Sequence, residues 1–311
     1  MSRSKAKYAI RLSIGITLVI VVYASVDMSS LLEVLGRISW QGATLVIGLY
    51  VLSQIMSAVK WQILIRNAGI NRTLPLVTRA YFFGMFVNTF GLGTVGGDVS
   101  RTMLLKPDKG HRVAAVATVV ADRIHGLLTL FLMTAVAVFI APSEPLGSWV
   151  YALVAGVASA LLASWWLVPA LLLRVIAHDH TYGEVVHRVV AAFPLGFRVF
   201  STASIVSVAS HSLQVLMHVV IAYDLQSTLD VGYLFVCIPL VNIAASIPVS
   251  INGIGVRESM YVVFFAPRGV PAEIAVSFGA LWLVAVTIVG AVGGLFFPVD
   301  LKDVKIASGA V

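Results

Sequence analysis

Few residues in this sequence are equipped for chemistry, and they gather in three short stretches. FGLGTVGGDVSR (90–101) sets four glycines within seven residues, Gly96 and Gly97 last, and then Asp98 and Arg101. ADRIHG (121–126) sets Asp122, Arg123 and His125 inside an apolar run. PVSINGIGVRE (248–258) passes Asn252, Gly253 and Gly255 before reaching Arg257 and Glu258. Arginine presents a planar fork of donors that matches phosphate oxygens in pairs. A helix broken by glycine exposes an N-terminal end, whose free N–H groups and partial positive charge also suit phosphate or carboxylate. The chemistry on offer is therefore anion binding. Asp122 and His125, three apart, share one helix face. A substrate or proton role would account for them, and so would a structural ion pair of Asp122 with Arg101 or Arg257. Glu258 is placed to pair with Arg257 or to take a proton. No Ser/His/Asp arrangement and no carboxylate pair suited to hydrolysis is present, so no catalytic residue is expected and the chain is not read as an enzyme.

Other polar residues rank lower. Asn88 and Asn242 read as caps or bridges for hairpin backbone. His211 and His218, seven apart on one helix face, read as packing or hydrogen-bonding groups rather than metal ligands. The set His178, Asp179, His180, Glu184 and His187 reads as a solvated loop. Cys237 is the single cysteine; it rules out a disulfide framework and a cysteine metal cluster. Neither metal nor cofactor is expected.

The elements that must position these groups follow from composition. Of 311 residues, 59% are hydrophobic and 11% charged, with a mean hydropathy of +0.97. A soluble domain is about a quarter charged. This is an all-α polytopic membrane protein. Its net charge of +7 belongs first to cytoplasmic loops, not to nucleic acid. Six runs match the roughly 20 residues that cross a bilayer: 8–26, 41–59, 113–140, 148–172, 199–222 and 272–297. The first has the look of a signal peptide but is read as an uncleaved helix, because many spans follow. Trp40, Trp149, Trp165 and Trp166 fit interfacial belts.

Two more apolar regions, 74–105 and 231–266, are each broken by glycine, proline and charge. Loop charge decides their path. Arg3, Lys5, Lys7 and Arg11 place the N-terminus inside, and Lys60, Arg66, Arg72 and Arg79 place 60–79 inside. A full crossing by 76–95 would put Lys106, Lys109 and Arg112 outside, so 74–105 is read as a hairpin that dips in and returns. Asp224 and Asp230 fall outside, 231–266 dips from that face, and Lys302 and Lys305 put the C-terminus inside. The expected architecture is six full spans plus two re-entrant helical hairpins, about eight membrane segments. The chain reads as one transmembrane domain, 1–311, with inverted-repeat halves near 1–147 and 148–311. FVNTFGLGTVGGDVSR and LVNIAASIPVSINGIGVRE both run from an apolar-Val-Asn start through a glycine break to an arginine beside an acid. Paired broken segments at matching places point to a transporter's binding site.

GGDVSR (96–101), ADRIHGLL (121–128) and PVSINGIGVRE (248–258), in this order, closely resemble the lysylphosphatidylglycerol synthase transmembrane-region family. The best-known members are the flippase halves of bacterial multiple peptide resistance factors. The resemblance covers about 8–297. It implies some eight membrane segments with re-entrant helices, and lipid translocation between leaflets of a prokaryotic cytoplasmic membrane. It carries a role in the lipid path onto Gly96, Gly97, Asp98, Arg101, Asp122, Arg123, Asn252, Gly253, Gly255, Arg257 and Glu258. The resistance factors continue into an aminoacyl-transfer domain that this sequence lacks, so lipid aminoacylation is not expected of it. The expected activity is movement of an anionic phospho- or glycolipid through a central polar cavity. The alternative is a non-transporting membrane partner or anchor of a lipid-modifying or glycosyl-transferring enzyme.

Overall fold

The structure, a computed structural model, describes Thr17, Ile20 and residues 28–90, 93–105, 111–140, 148–176, 183–247, 250 and 253–296. Among these residues every regular element is helical: α1 (Met28–Gly36), α2 (Trp40–Asn67), α3 (Leu74–Phe90), α4 (Gly93–Leu104), α5 (Arg112–Ile140), α6 (Ser148–Val175), α7 (Gly183–Ala191), α8 (Phe197–Asp224), α9 (Val231–Ser246), α10 (Val256–Phe265) and α11 (Ala272–Gly293). Five helical stretches are long and apolar enough to cross a membrane: α2, α5, Tyr151–Val175 of α6, α8, and Ala272–Phe296. They answer to five of the six expected spans. The other, 8–26, lies outside the described residues except for Thr17 and Ile20, both helical.

The centre is the antiparallel pair α2 and α8. At one end, Asp224 Oδ2 accepts hydrogen bonds from Ser39 N and Oγ, at 3.1 and 3.0 Å, and Ser39 in turn caps α2 by accepting from Gly42 N. At the other end, Asn67 donates to the carbonyls of Ala191 and Phe193. Midway, Ser210 Oγ donates to Ser53 O at 2.8 Å and lies 2.9 Å from Ser57 Oγ. Small side chains let the two backbones approach closely.

Around this pair sit two short helical hairpins. Helices α3 and α4 have 17 and 12 residues, short of the roughly 20 that span a bilayer. They lie along each other, and their outer ends meet: Arg72, just before α3, donates from Nε to the carbonyl of Leu105, just after α4, at 2.9 Å. Gly97 is required at their contact. Its N–H reaches Asn88 Oδ1 at 3.1 Å, and a Cβ there would collide with the Asn88 side chain and the Gly84 carbonyl. Helices α9 and α10, with 16 and 10 residues, repeat the arrangement. Tyr233 near the start of α9 donates to the carbonyl of Phe264 near the end of α10, and the Arg268 guanidinium lies 4.4 Å from the Tyr233 ring. Gly255, with φ +81°, sits in the left-handed region that glycine tolerates, just before α10. The first hairpin opens beside the end of α2, the second beside the end of α8. Because α2 and α8 are antiparallel, the hairpins open toward opposite ends of the pair.

The remaining packing crosses over. Helix α5 lies along α9, and α11 along α3. The largest apolar cluster joins Met217 and Ile221 of α8, Leu234 and Ile238 of α9, Tyr261 of α10 and Phe278 of α11, all at most 1% exposed.

Candidate functional site

The first hairpin brings a chain of alternating charges together. Arg101 and Asp98 lie one turn apart on α4, Asp122 and Arg123 on α5, and Lys60 on α2. Lys60 Nζ is 2.9 Å from Asp122 Oδ1 and also donates to the Asp122 carbonyl at 3.1 Å. Arg101 Nη1 and Nη2 each reach Asp122 Oδ2 at 3.3 Å, and Arg101 Nη2 lies 3.4 Å from Asp98 Oδ1. Arg123 Nε closes the chain on Asp98 Oδ2 at 2.6 Å. Lys60, Arg101 and Asp122 are each at most 6% exposed. Three cations against two carboxylates leave a net charge of +1 (3 − 2). The Arg101 guanidinium also lies against aromatic rings, 4.7 Å from Trp61 and 5.2 Å from Tyr81.

The second hairpin holds its arginine differently. Arg257, 6% exposed, lies 3.7 Å over the Trp282 ring of α11. It donates from Nη1 to Asn242 Oδ1 at 2.6 Å. Among the described residues no carboxylate reaches it. The neighbouring Glu258 turns away: its Oε2 accepts from Gly255 N at 2.7 Å and so caps the start of α10. Gly279 of α11 makes room for it, since a Cβ there would come within 2.8 Å of Glu258 Cγ. Among the described residues, the buried Nε atoms of Arg101 and Arg257 have no hydrogen-bond partner.

Several expectations change on contact with this geometry. Of the two arginines offered to Asp122, it is Arg101 that pairs with it, and Lys60 joins as a second cation. Lys60 therefore does not lie in a solvated inside loop; α2 continues through it to Asn67. Glu258 is a cap rather than a counter-ion. His125 does not join the charges. Its Nε2 lies 3.1 Å from Ser204 Oγ of α8, and its ring packs between Trp165 and Phe200 at 5.4 and 5.3 Å. Trp165, 5% exposed, is a core residue rather than a belt residue, whereas Trp40 at 74% keeps the exposure a belt needs. Gly97 serves close packing of α3 on α4, and Gly96 lies beside it on α4. Gly253, with φ +74°, stands with Gly255 in the turn before α10; Asn252 lies outside the described residues. Asn88 and Asn242 both bridge the two arms of their hairpins. His218 is tied within the core to Tyr261 OH and the Gln214 carbonyl, each at 2.7 Å.

Sequence reasoning passed over Lys60, Trp61, Tyr81 and Trp282. A signal for Lys60 was present: apolar residues resume at once in Ile63, Leu64 and Ile65, so the helix had reason to continue. Trp282 carries no local signal, because its partner lies 25 residues away (282 − 257).

Apolar helices around buried, paired charges define a multi-pass helical membrane protein with a polar interior. The chain belongs to the family described as the lysylphosphatidylglycerol synthase TM region, whose model matches residues 8–294. It is similar to the UPF0104 membrane protein PH1989 of Pyrococcus horikoshii, with 28% identity over 127 residues. That stretch spans 39% of this chain and 38% of the relative. No solved structure matches.

Proposed function

We propose that this protein carries an anionic phospho- or glycolipid between leaflets, the head group passing through the polar interior between the two hairpins. The observation that carries this reading is Arg257, buried and, among the described residues, without a counter-ion or a hydrogen-bond partner for its Nε. A charge at the centre of a membrane helix costs roughly 2.5–3.5 kcal/mol on insertion scales. Stacking on Trp282 offsets about 2 kcal/mol of such a cost when the pair is desolvated. A phosphate would supply the missing charge and use the open Nε edge, as the arginine fork prefers. Arg101 would meet the same phosphate from the other hairpin.

The meeting of each hairpin's outer ends supports a re-entrant path for 74–105 and 231–266. Their opening at opposite ends of α2–α8, and the matched packing of α5 on α9 and α11 on α3, support inverted halves near 1–147 and 148–311. Membrane carriers built this way place their site between the halves. The family's description, which concerns lysylphosphatidylglycerol, supports a lipid as the cargo.

The test is head-group accessibility of labelled anionic phospholipid and glycolipid in reconstituted vesicles. Wild-type protein is expected to move one of them. Arg257→Gln is expected to slow that movement about tenfold, the equivalent of ~1.4 kcal/mol, while leaving the melting temperature close to that of the wild type. Unchanged movement in Arg257→Gln would remove the carrier role from this residue. If folded wild-type protein moves no lipid, a non-transporting partner of a lipid-modifying enzyme becomes the better account.

A further inference from the structure

We infer that the outer flank of α5 carries a lipid site of its own: a groove between α5 and α7 takes one acyl chain of an anionic phospholipid, and Arg112 takes its phosphate. This site follows from the chain being a membrane protein and does not depend on the carrier reading above.

One helix supplies both parts. Helix α5 has 29 residues, about 43 Å at 1.5 Å per residue. A bilayer is about 40–45 Å thick with its head groups and about 30 Å without them. Arg112, the first residue of α5, therefore stands at head-group level. Beyond it, Val113, Val116 and Val120 line a groove of about 430 Å³ together with Val189 of α7 and Phe193. From Val113 to Val120 the groove follows α5 for about 10 Å (7 × 1.5 Å), within the roughly 15 Å depth of one leaflet (half of 30 Å). Val116 and Val120, 54% and 45% exposed, leave it open to the membrane. Every lining residue except Arg112 is apolar, so the groove suits a hydrocarbon chain, and a polar head group can be met only at the Arg112 end.

Charge then selects the head group. Among the described residues, no acid pairs with Arg112. The neighbouring cations are taken: Arg123, one turn beyond Val120, closes on Asp98, and Arg188, beside Val189, pairs with Glu184. The free N–H groups of the first turn of α5 add partial positive charge at the same end. A phosphate whose head group carries no cation of its own suits this end best. The site is also apart from the hairpin charges. Asp122 lies about 15 Å further along α5 (10 × 1.5 Å). It is buried, on the face nearly opposite Val120.

Native mass spectrometry of the purified full chain tests this, with phosphatidylglycerol and phosphatidylcholine of matched acyl chains added in detergent. One arginine near the head groups is worth a preference of about fivefold for the anionic lipid. Wild type is expected to show it, and Arg112→Gln to bring the two lipids within about twofold of each other. Val116→Trp, which fills the groove from an exposed position, is expected to weaken binding of both lipids and leave their ratio unchanged. Arg174→Gln, at the exposed end of α6, is expected to match wild type. The inference would be overturned by a wild type without preference, by an Arg112→Gln variant that keeps it, or by an Arg174→Gln variant that loses it equally. A wild-type dimer abolished by Val116→Trp would give the groove to a second copy of the chain and overturn it too.

Discussion

In each hairpin the arm that follows the glycine break carries one arginine, Arg101 in the first and Arg257 in the second, and the two hairpins treat its charge in opposite ways. Around Arg101, two carboxylates and two further cations form an extended chain across α2, α4 and α5. Around Arg257 there is an amide oxygen and an indole face, and the nearby carboxylate is spent on capping its own helix. The difference shows that similar broken segments need not do the same work. The first hairpin fixes charge within a network, where removing a member disturbs its neighbours. The second holds its cation by stacking on Trp282 and by a bond to the Asn242 amide oxygen, where removal strands only that oxygen.

Substitutions separate the two, and the largest effect falls on the network. Asp122→Ala strands Lys60 and Arg101 and is expected to cost about 3–5 kcal/mol, read as a large drop in melting temperature in detergent; a mild effect would mean that the network is dispensable. Next comes Gly97→Ala, which forces a methyl group against Asn88 and the Gly84 carbonyl. It is expected to cost about 1–3 kcal/mol, with the loss seen in protease resistance of the first hairpin. Gly255→Ala, at φ +81°, is expected to cost about 1–2 kcal/mol, measured by the same melt. Glu258→Gln should do least. It keeps an acceptor for Gly255 N, so less than about 1 kcal/mol is expected, and lipid movement should be unaltered. Were Glu258 a hidden counter-ion of Arg257, that neutral substitution would instead change transport strongly.

Much of this was legible in the sequence. Glycine, proline and charge interrupt 74–105 and 231–266 visibly, and these are the segments that fold as paired short helices. Uninterrupted apolar length marked α2, α5, α6, α8 and α11. What escaped was set by distant partners. Lys60 looked like the start of a basic loop, because the acid that neutralises it lies 62 residues away. Asp122 could be seen to need a cation, but local spacing could not choose between Arg101 and Arg257. Glu258 adjoins Arg257 in sequence, yet a helix start with a free N–H at Gly255 was the closer claimant. Trp165 sits near a span end as belt residues do, but His125 and Phe200 draw it into the core.

The serine contact between α2 and α8 has a mechanical consequence. Crossings built from large branched side chains interlock and resist rotation, because the interior is close-packed. Here the Ser210 hydroxyl meets the Ser57 hydroxyl and the Ser53 carbonyl instead, and a hydroxyl can exchange one acceptor for another. An interhelical bond of this kind in a membrane is worth about 0.6 kcal/mol on average, close to thermal energy. Between the apolar contacts that flank it, the serine contact is the part of the pair that resists sliding least, and Ser210→Leu, by wedging it, is expected to change amide exchange along α8.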